Sequence, residues 1–200
     1  MKRVLVSQRV DMVTDYNEVR DSLDQNWVPF LWETGAVTFP VPNFSKALPE
    51  ILNAISPQGI LLTGGYSSDE YHGISVERDK IDNFLLDYAV NHKIPLIGVC
   101  RGMQSILLYF GGNLKKVDAH VRVKHKINGN INRFVKSFHN YAANTVPPCL
   151  DVFARTDDGV VEGVKHSSLP IMGIMWHPER EEEIVNDDVK IFNKLWGINK

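Results

Sequence analysis

Two hundred residues, 44% hydrophobic and 23% charged, describe a globular chain long enough to bury a substantial core. A formal net charge of −2 argues against a general polyanion-binding surface, so no nucleic-acid partner is expected. Two cysteines, Cys100 and Cys149, suggest neither a disulfide scaffold nor a zinc site; a reducing, cytoplasmic setting and no metal are expected.

Met1-Lys2-Arg3 leads directly into Val4 to Ser7, which reads as a first strand, and no signal-peptide pattern is expected there. No stretch approaches membrane-spanning length, so no membrane partner is expected either. Tyr16 to Leu23 reads as a short helix with an acidic start, Tyr16 and Arg20 sharing a face. Trp27 to Leu31 reads as a second strand or an aromatic loop. Val37 to Pro42 is an extended run ended by prolines, and Ala47 to Asn53 a helix. Gly59 to Thr63 is a buried strand followed by the loop Gly64-Gly65-Tyr66-Ser67-Ser68. From Lys80 to His92, Ile81, Phe84, Leu85, Tyr88 and Ala89 recur at helical spacing. Ile94 to Val99 predicts a strand, and Gln104 to Phe110 a helix stopped by Gly111-Gly112. Five further strands are predicted at Val121 to Ile127, Arg133 to Phe138, Val152 to Arg155, Val160 to Lys165 and Ile171 to Trp176. A last helix follows at Ile184 to Trp196. This alternation, without repeats or linkers, predicts an open α/β sheet in one domain over residues 1–200.

The chemistry centres on Gly98-Val99-Cys100-Arg101-Gly102. A strand running into Gly-x-Cys-x-Gly and then a helix is a nucleophile elbow with sulfur in place of a serine oxygen. The helix N-terminus beneath Cys100 favours a thiolate. Cys149, between Pro148 and Leu150, reads as a buried, inert thiol. A thiolate nucleophile needs a base. Of seven histidines, His177 stands at the end of an apolar strand, where sites of open α/β sheets lie. Pro178 keeps His177 extended, which aims Glu179 to the same side to fix the imidazole tautomer. Glu179 could instead begin the solvated acidic run that ends at Glu183. The amides of Arg101 and Gly65 are the expected oxyanion donors, the second on a loop that also reads as a simple turn. His139 reads equally as a pocket or a core residue. The basic cluster of Lys115, Lys116, Arg122, Lys124, His125 and Lys126 reads first as a solvated face.

These residues resemble the class I glutamine amidotransferase family. The resemblance rests on Gly98 to Gln104, Trp176-His177-Pro178-Glu179, Leu62-Thr63-Gly64-Gly65, Ser137-Phe138-His139-Asn140 and Asp158 to Gly163, in the family's order over nearly the whole chain. It implies a three-layer, mostly parallel, flavodoxin-like sheet with Cys100, His177 and Glu179 as a catalytic triad. It implies further that Gln104 lines a γ-glutamyl pocket, that Ser137 and Phe138 contact the amino-acid end of the substrate, and that His139 sits beside the site. Tyr66 and Arg9 join the expected substrate-binding residues. Arg101 and Met103 depart from the family's usual Leu or Ile after the cysteine and His before the glutamine.

The N-terminal part, with Ser7-Gln8-Arg9-Val10, Tyr16, Arg20 to Trp27 and Trp32, departs from the family's polyamine-pathway hydrolases. It resembles members acting on a γ-glutamyl group attached to a cytidine diphosphate phosphoramide in capsule synthesis. The implied reaction is hydrolysis through a γ-glutamyl thioester on Cys100, without cofactor. Arg9, Arg101 and Lys124 are then candidate diphosphate contacts, since guanidinium and ammonium groups favour phosphate. The rival expectations are a glutaminase that supplies ammonia to a synthetase partner, hydrolysis of other γ-glutamyl amines, and a non-catalytic binding relative.

Overall fold

The computed structural model describes residues 1–66 and 75–198; Ser67, Ser68 and His72 lie outside the described residues. The first half comprises β1 (Lys2–Ser7), β2 (Arg9–Val13), β3 (Glu18–Ser22), α1 (Trp27–Glu33), β4 (Ala36–Val41), α2 (Leu48–Ile55), β5 (Gly59–Leu62), α3 (Val76–His92), β6 (Leu96–Val99) and α4 (Arg101–Tyr109). There follow β7 (Lys115–Lys116), β8 (Val121–Gly129), β9 (Arg133–Phe138), β10 (Tyr141–Ala142), β11 (Leu150–Thr156), β12 (Val161–His166), β13 (Ile171–Ile174) and α5 (Asn186–Trp196).

Among the described residues the central sheet runs β4-β1-β5-β6-β13-β12-β11-β8-β9. Its first five strands are parallel neighbours, and the remaining four join antiparallel. Parallel strands covered on both faces need apolar residues at every position. Val4-Leu5-Val6 and Ile60-Leu61-Leu62 meet that need and are fully buried. Alternate residues serve opposite faces. Leu5, Ile60, Leu62 and Leu96 pack with Leu48 and Leu52 of α2, Ile81 and Leu85 of α3, and Ile106 of α4. Val4, Val6, Leu61, Ile97 and Val99 pack with Trp27, Phe30 and Leu31 of α1 and Phe192 and Trp196 of α5. The result is the three-layer arrangement.

Two expected elements come out differently. Residues 9–22 form a β2–β3 hairpin, with a single 3₁₀ turn at Thr14–Tyr16, instead of a helix. The stretch has no apolar stripe for a helix to bury, and Asp11 pairs across the strands with Arg20. Tyr16 is 74% exposed, with the Arg20 guanidinium 5.9 Å over its ring, so neither covers the core. Residues 27–33 are helical because Trp27, Phe30 and Leu31 recur at i, i+3 and i+4 and all bury. Pro29 sits in the first turn, where its missing N–H costs nothing.

Candidate active site

The order β5-β6-β13 places three chain turns side by side at the carboxyl ends of parallel strands. Gly64 follows β5, Cys100 follows β6, and His177 lies just past β13. Sequence-distant residues therefore meet with Cys100 in the middle.

Cys100 turns between β6 and α4 at φ 53° and ψ −107°, a conformation that a side chain adopts only when its surroundings impose it. The surroundings are the two flanking glycines. A Cβ on Gly98 would lie 2.3 Å from the Gly102 carbonyl oxygen, and one on Gly102 would lie 2.1 Å from the Leu62 carbonyl oxygen. Helix α4 therefore presses directly on the strands, and the Cys100 amide donates to the Ile174 carbonyl at 2.8 Å. Cys100 is 5% exposed. The first amides of α4, Arg101 included, have no carbonyl four residues back to bond.

His177 is buried, and its Nδ1 lies 2.7 Å from Glu179 Oε1. The chain from Pro178 to Arg180 is a 3₁₀ turn, not the extended run expected, yet the two side chains still meet. Because a carboxylate only accepts, Nδ1 donates and Nε2 is left for the thiol. Cys100 and the imidazole line the same cleft. Burial opposes the imidazolium, but Glu179 and then Cys100 outweigh it and raise its pKa to about 9. Trp176 anchors this corner by donating from Nε1 to Asp188 at 2.9 Å.

A cleft of about 340 Å³ opens beside these groups, lined by Arg9, Gly65, Tyr66, Cys100, Val121, Arg122, Phe138, His177 and Arg180. Phe138 stands edge-to-face with His177, ring centroids 5.5 Å apart. Arg9 reaches the cleft from β2, lies 5.6 Å over the Tyr66 ring, and pairs with Asp11 at 2.5 Å. Arg122 sits on a β8 bulge between paired Val121 and Val123 at φ 55°. Arg180 stacks 5.0 Å over Phe138 and lies 3.5 Å from Glu179.

Other expected site residues stand elsewhere. The Arg101 side chain is buried, held by Asp79 and Asp82, so it is not a diphosphate contact. Lys124 is exposed on β8 and does not line the cleft. Gln104 lies beneath the surface, donating to the Tyr141 carbonyl at 2.8 Å. Ser137 is buried and donates to the His120 carbonyl at 2.7 Å. His139 is buried behind the wall, its Nε2 3.2 Å from Glu162. Met103, the other departure from the family pattern, packs where a Cβ on Gly173 would be.

Three features escape a reading of the sequence. Arg122 and Arg180 carry no local motif, although their charges are visible. The Arg78–Asp82 pair is buried on α3 and does have a signal, an i,i+4 pair interleaved with apolar Ile81 and Leu85. Arg78 donates to Asp82 at 2.8 Å, Ser7 Oγ at 2.7 Å and the Thr63 carbonyl at 2.9 Å, so it braces the strand end before Gly64.

A mostly parallel sheet carries a thiol, an imidazole and a carboxylate at its strand ends, the groups that a covalent nucleophile, its base and an orienter require. The model of the class I glutamine amidotransferase family matches residues 17–198, and the chain belongs to that family. It is thereby an enzyme of the amidohydrolase and amidotransferase type. The chain is 28% identical over 198 residues to the gamma-glutamyl-CDP-amidate hydrolase of Campylobacter jejuni, covering 98% of each. It is 33% identical over 174 residues to anthranilate synthase component 2 of Azospirillum brasilense, covering 81% of this chain and 85% of that one. A putative GMP synthase component from Thermoplasma acidophilum shares the fold with a TM-score of 0.74, at 23% identity over 99% of this chain and 94% of that one. No helix among the described residues is long and apolar enough to cross a membrane.

Proposed function

We propose that the chain hydrolyses a γ-glutamyl amide through a thioester on Cys100. The observation behind this reading is the convergence of Cys100 and His177 on one cleft, with Glu179 2.7 Å from His177 Nδ1. Cys100 Sγ attacks the γ-carbonyl carbon as a thiolate, with the proton on His177. The oxyanion forms within reach of the Arg101 and Gly65 amides. His177 Nε2 passes its proton to the leaving nitrogen, the C–N bond breaks, and the thioester remains. A pKa near 9 keeps His177 protonated at neutral pH, as that donation requires. Water then gives its proton to His177 as it attacks the thioester, and glutamate leaves.

The leaving group is a nucleotide-linked phosphoramide, so that γ-glutamyl-CDP-amidate yields glutamate and CDP-amidate in cytoplasmic capsule phosphoramidate synthesis. Two observations favour it. Three arginines, Arg9, Arg122 and Arg180, line the cleft beside the nucleophile. The Campylobacter jejuni relative matches over 98% of each chain. The second reading is a glutaminase working with a synthetase partner, favoured by the likeness to anthranilate synthase component 2.

Mass spectrometry of the products formed from glutamine, γ-glutamyl amines and γ-glutamyl-CDP-amidate separates these readings. The phosphoramide is expected to turn over fastest, without a partner, and Cys100→Ala to lose all turnover while staying folded. Preference for glutamine, enhanced by an added synthetase, overturns the substrate reading. Undiminished turnover in Cys100→Ala overturns the mechanism.

A further inference from the structure

A second polar cluster, which this reaction does not use, lies behind the cleft wall. His120 precedes β8, His125 lies on it, His139 follows β9, and Glu162 is on β12. Glu162 Oε1 is 3.2 Å from His139 Nε2, 3.5 Å from His125 Nε2 and 3.8 Å from His120 Nδ1. The contact with His139 is a hydrogen bond. His120 Nδ1, His125 Nε2 and Glu162 Oε2 are buried without a hydrogen-bond partner in the protein. His120 is 2% exposed and Glu162 fully buried.

The orientation of His120 sharpens the problem. Its Nε2 lies 3.0 Å from Asp158 Oδ2. A carboxylate accepts, so Nε2 carries the hydrogen, and Nδ1 presents a lone pair whenever the ring is neutral. That lone pair faces a carboxylate oxygen across 3.8 Å, too far for a hydrogen bond. A cation between them relieves the mismatch. Ligands about 2.0–2.1 Å from a tetrahedral zinc ion stand about 3.3 Å from one another. The His120, His125 and Glu162 ligand atoms all lie within 4.8 Å of one another, close enough to contract around one ion.

We propose that His120 Nδ1, His125 Nε2 and Glu162 bind a divalent transition-metal ion of the zinc class. This departs from the metal-free expectation drawn from the cysteine count, because the ligands are imidazole and carboxylate. Asp158 orients His120, and His139 orients Glu162, the outer partners that metal-bound imidazole and carboxylate require. No step of the chemistry runs through the ion. It ties β8 to β12, and through His139 to the end of β9, next to Val121, Arg122 and Phe138, which line the cleft. The site stands or falls independently of the reaction proposed above.

The test uses tag-free protein in a Cys100→Ser background, which removes the competing thiolate beside His177. After chelator treatment, Zn2+ is titrated by calorimetry and Co2+ by visible absorption. One ion per chain is expected, with Co2+ giving d–d bands and no sulfur charge-transfer band. His125→Gln, at the most accessible ligand, is expected to lose stoichiometric binding while retaining its circular dichroism. His139→Gln is expected to weaken binding about 10–100-fold. Absence of stoichiometric uptake by folded Cys100→Ser protein overturns the proposal. So does unchanged affinity in His125→Gln. Should that variant not fold, the Co2+ spectrum of the Cys100→Ser protein decides alone.

Discussion

A single methyl group at position 64 tests whether the placement of His177 controls the rate. A Cβ on Gly64 would stand 2.7 Å from His177 Cε1 and 3.6 Å from each ring nitrogen. The ring must retreat by about 0.7 Å to reach the 3.4 Å edge of ordinary contact. It has little freedom to do so. Glu179 holds Nδ1 at 2.7 Å, and Phe138 stands against the ring edge-on. Retreat displaces Nε2 relative to Cys100, and a misplacement near 1 Å costs on the order of 10²-fold in rate. Gly64→Ala is therefore expected to lower kcat by about 10²-fold, or about 2.7 kcal/mol of transition-state stabilisation. The crowding itself is expected to destabilise the fold by about 1–3 kcal/mol. Glutamate release measured beside a urea melt separates the two effects. A folded Gly64→Ala protein with kcat within about threefold of wild type would refute the reasoning, since threefold is about 0.6 kcal/mol.

Further outcomes follow from the same geometry. Gly102→Ala drives a methyl group to 2.1 Å from the Leu62 carbonyl oxygen, where neither backbone can yield; about 3 kcal/mol of destabilisation or more is expected in urea. His177 titrates near 9 when folded against 6.5 ordinarily, so its stabilisation is complete below pH 6.5 and fades as pH rises through about 9. The gap of roughly 3 kcal/mol between wild type and His177→Gln should close across that window, and a gap constant from pH 6 to 10 contradicts the assignment. Arg78→Met strands Ser7 Oγ, the Thr63 carbonyl and part of Asp82, with an expected loss of about 3–5 kcal/mol; a loss under about 1 kcal/mol argues against the brace. Arg122→Ala should raise KM about tenfold or more for the phosphoramide substrate and leave glutamine turnover unaffected, the loss of a charge-assisted hydrogen bond being worth about 1.5–3 kcal/mol. An equal KM increase for both substrates would show that Arg122 does not read the leaving group.

Much of the fold is legible in the sequence because its signals are local. Strands buried on both faces read as continuous apolar runs, as at Ile60-Leu61-Leu62, and α3 shows its helical period from Ile81 to Ala89. The β2–β3 hairpin is not legible as such. It buries almost nothing, so its form is decided by cross-strand pairing and by packing of Arg9 against Gly65. Helix α1 has the right spacing in Trp27, Phe30 and Leu31, but its aromatic residues and Pro29 suit a strand or loop equally well until a sheet face is there to cover. At the site, Cys100, His177 and Glu179 stand out because elbow geometry and an orienting carboxylate are properties of short segments.

The sequence by itself marked Cys100 and His177 as candidate nucleophile and base and determined the strands that present them, since each depends on a few adjacent residues. Which charges line the cleft was decided only by tertiary structure. Arg101 adjoins Cys100 in the chain, yet Asp79 and Asp82 draw its side chain into the interior. Arg122 and Arg180, remote in sequence, come to the cleft because a bulge turns one and a 3₁₀ turn places the other. His120, His125, His139 and Glu162 likewise converge only when β8, β9 and β12 come together, because their neighbourhood is set by long-range strand packing and by no spacing along the chain.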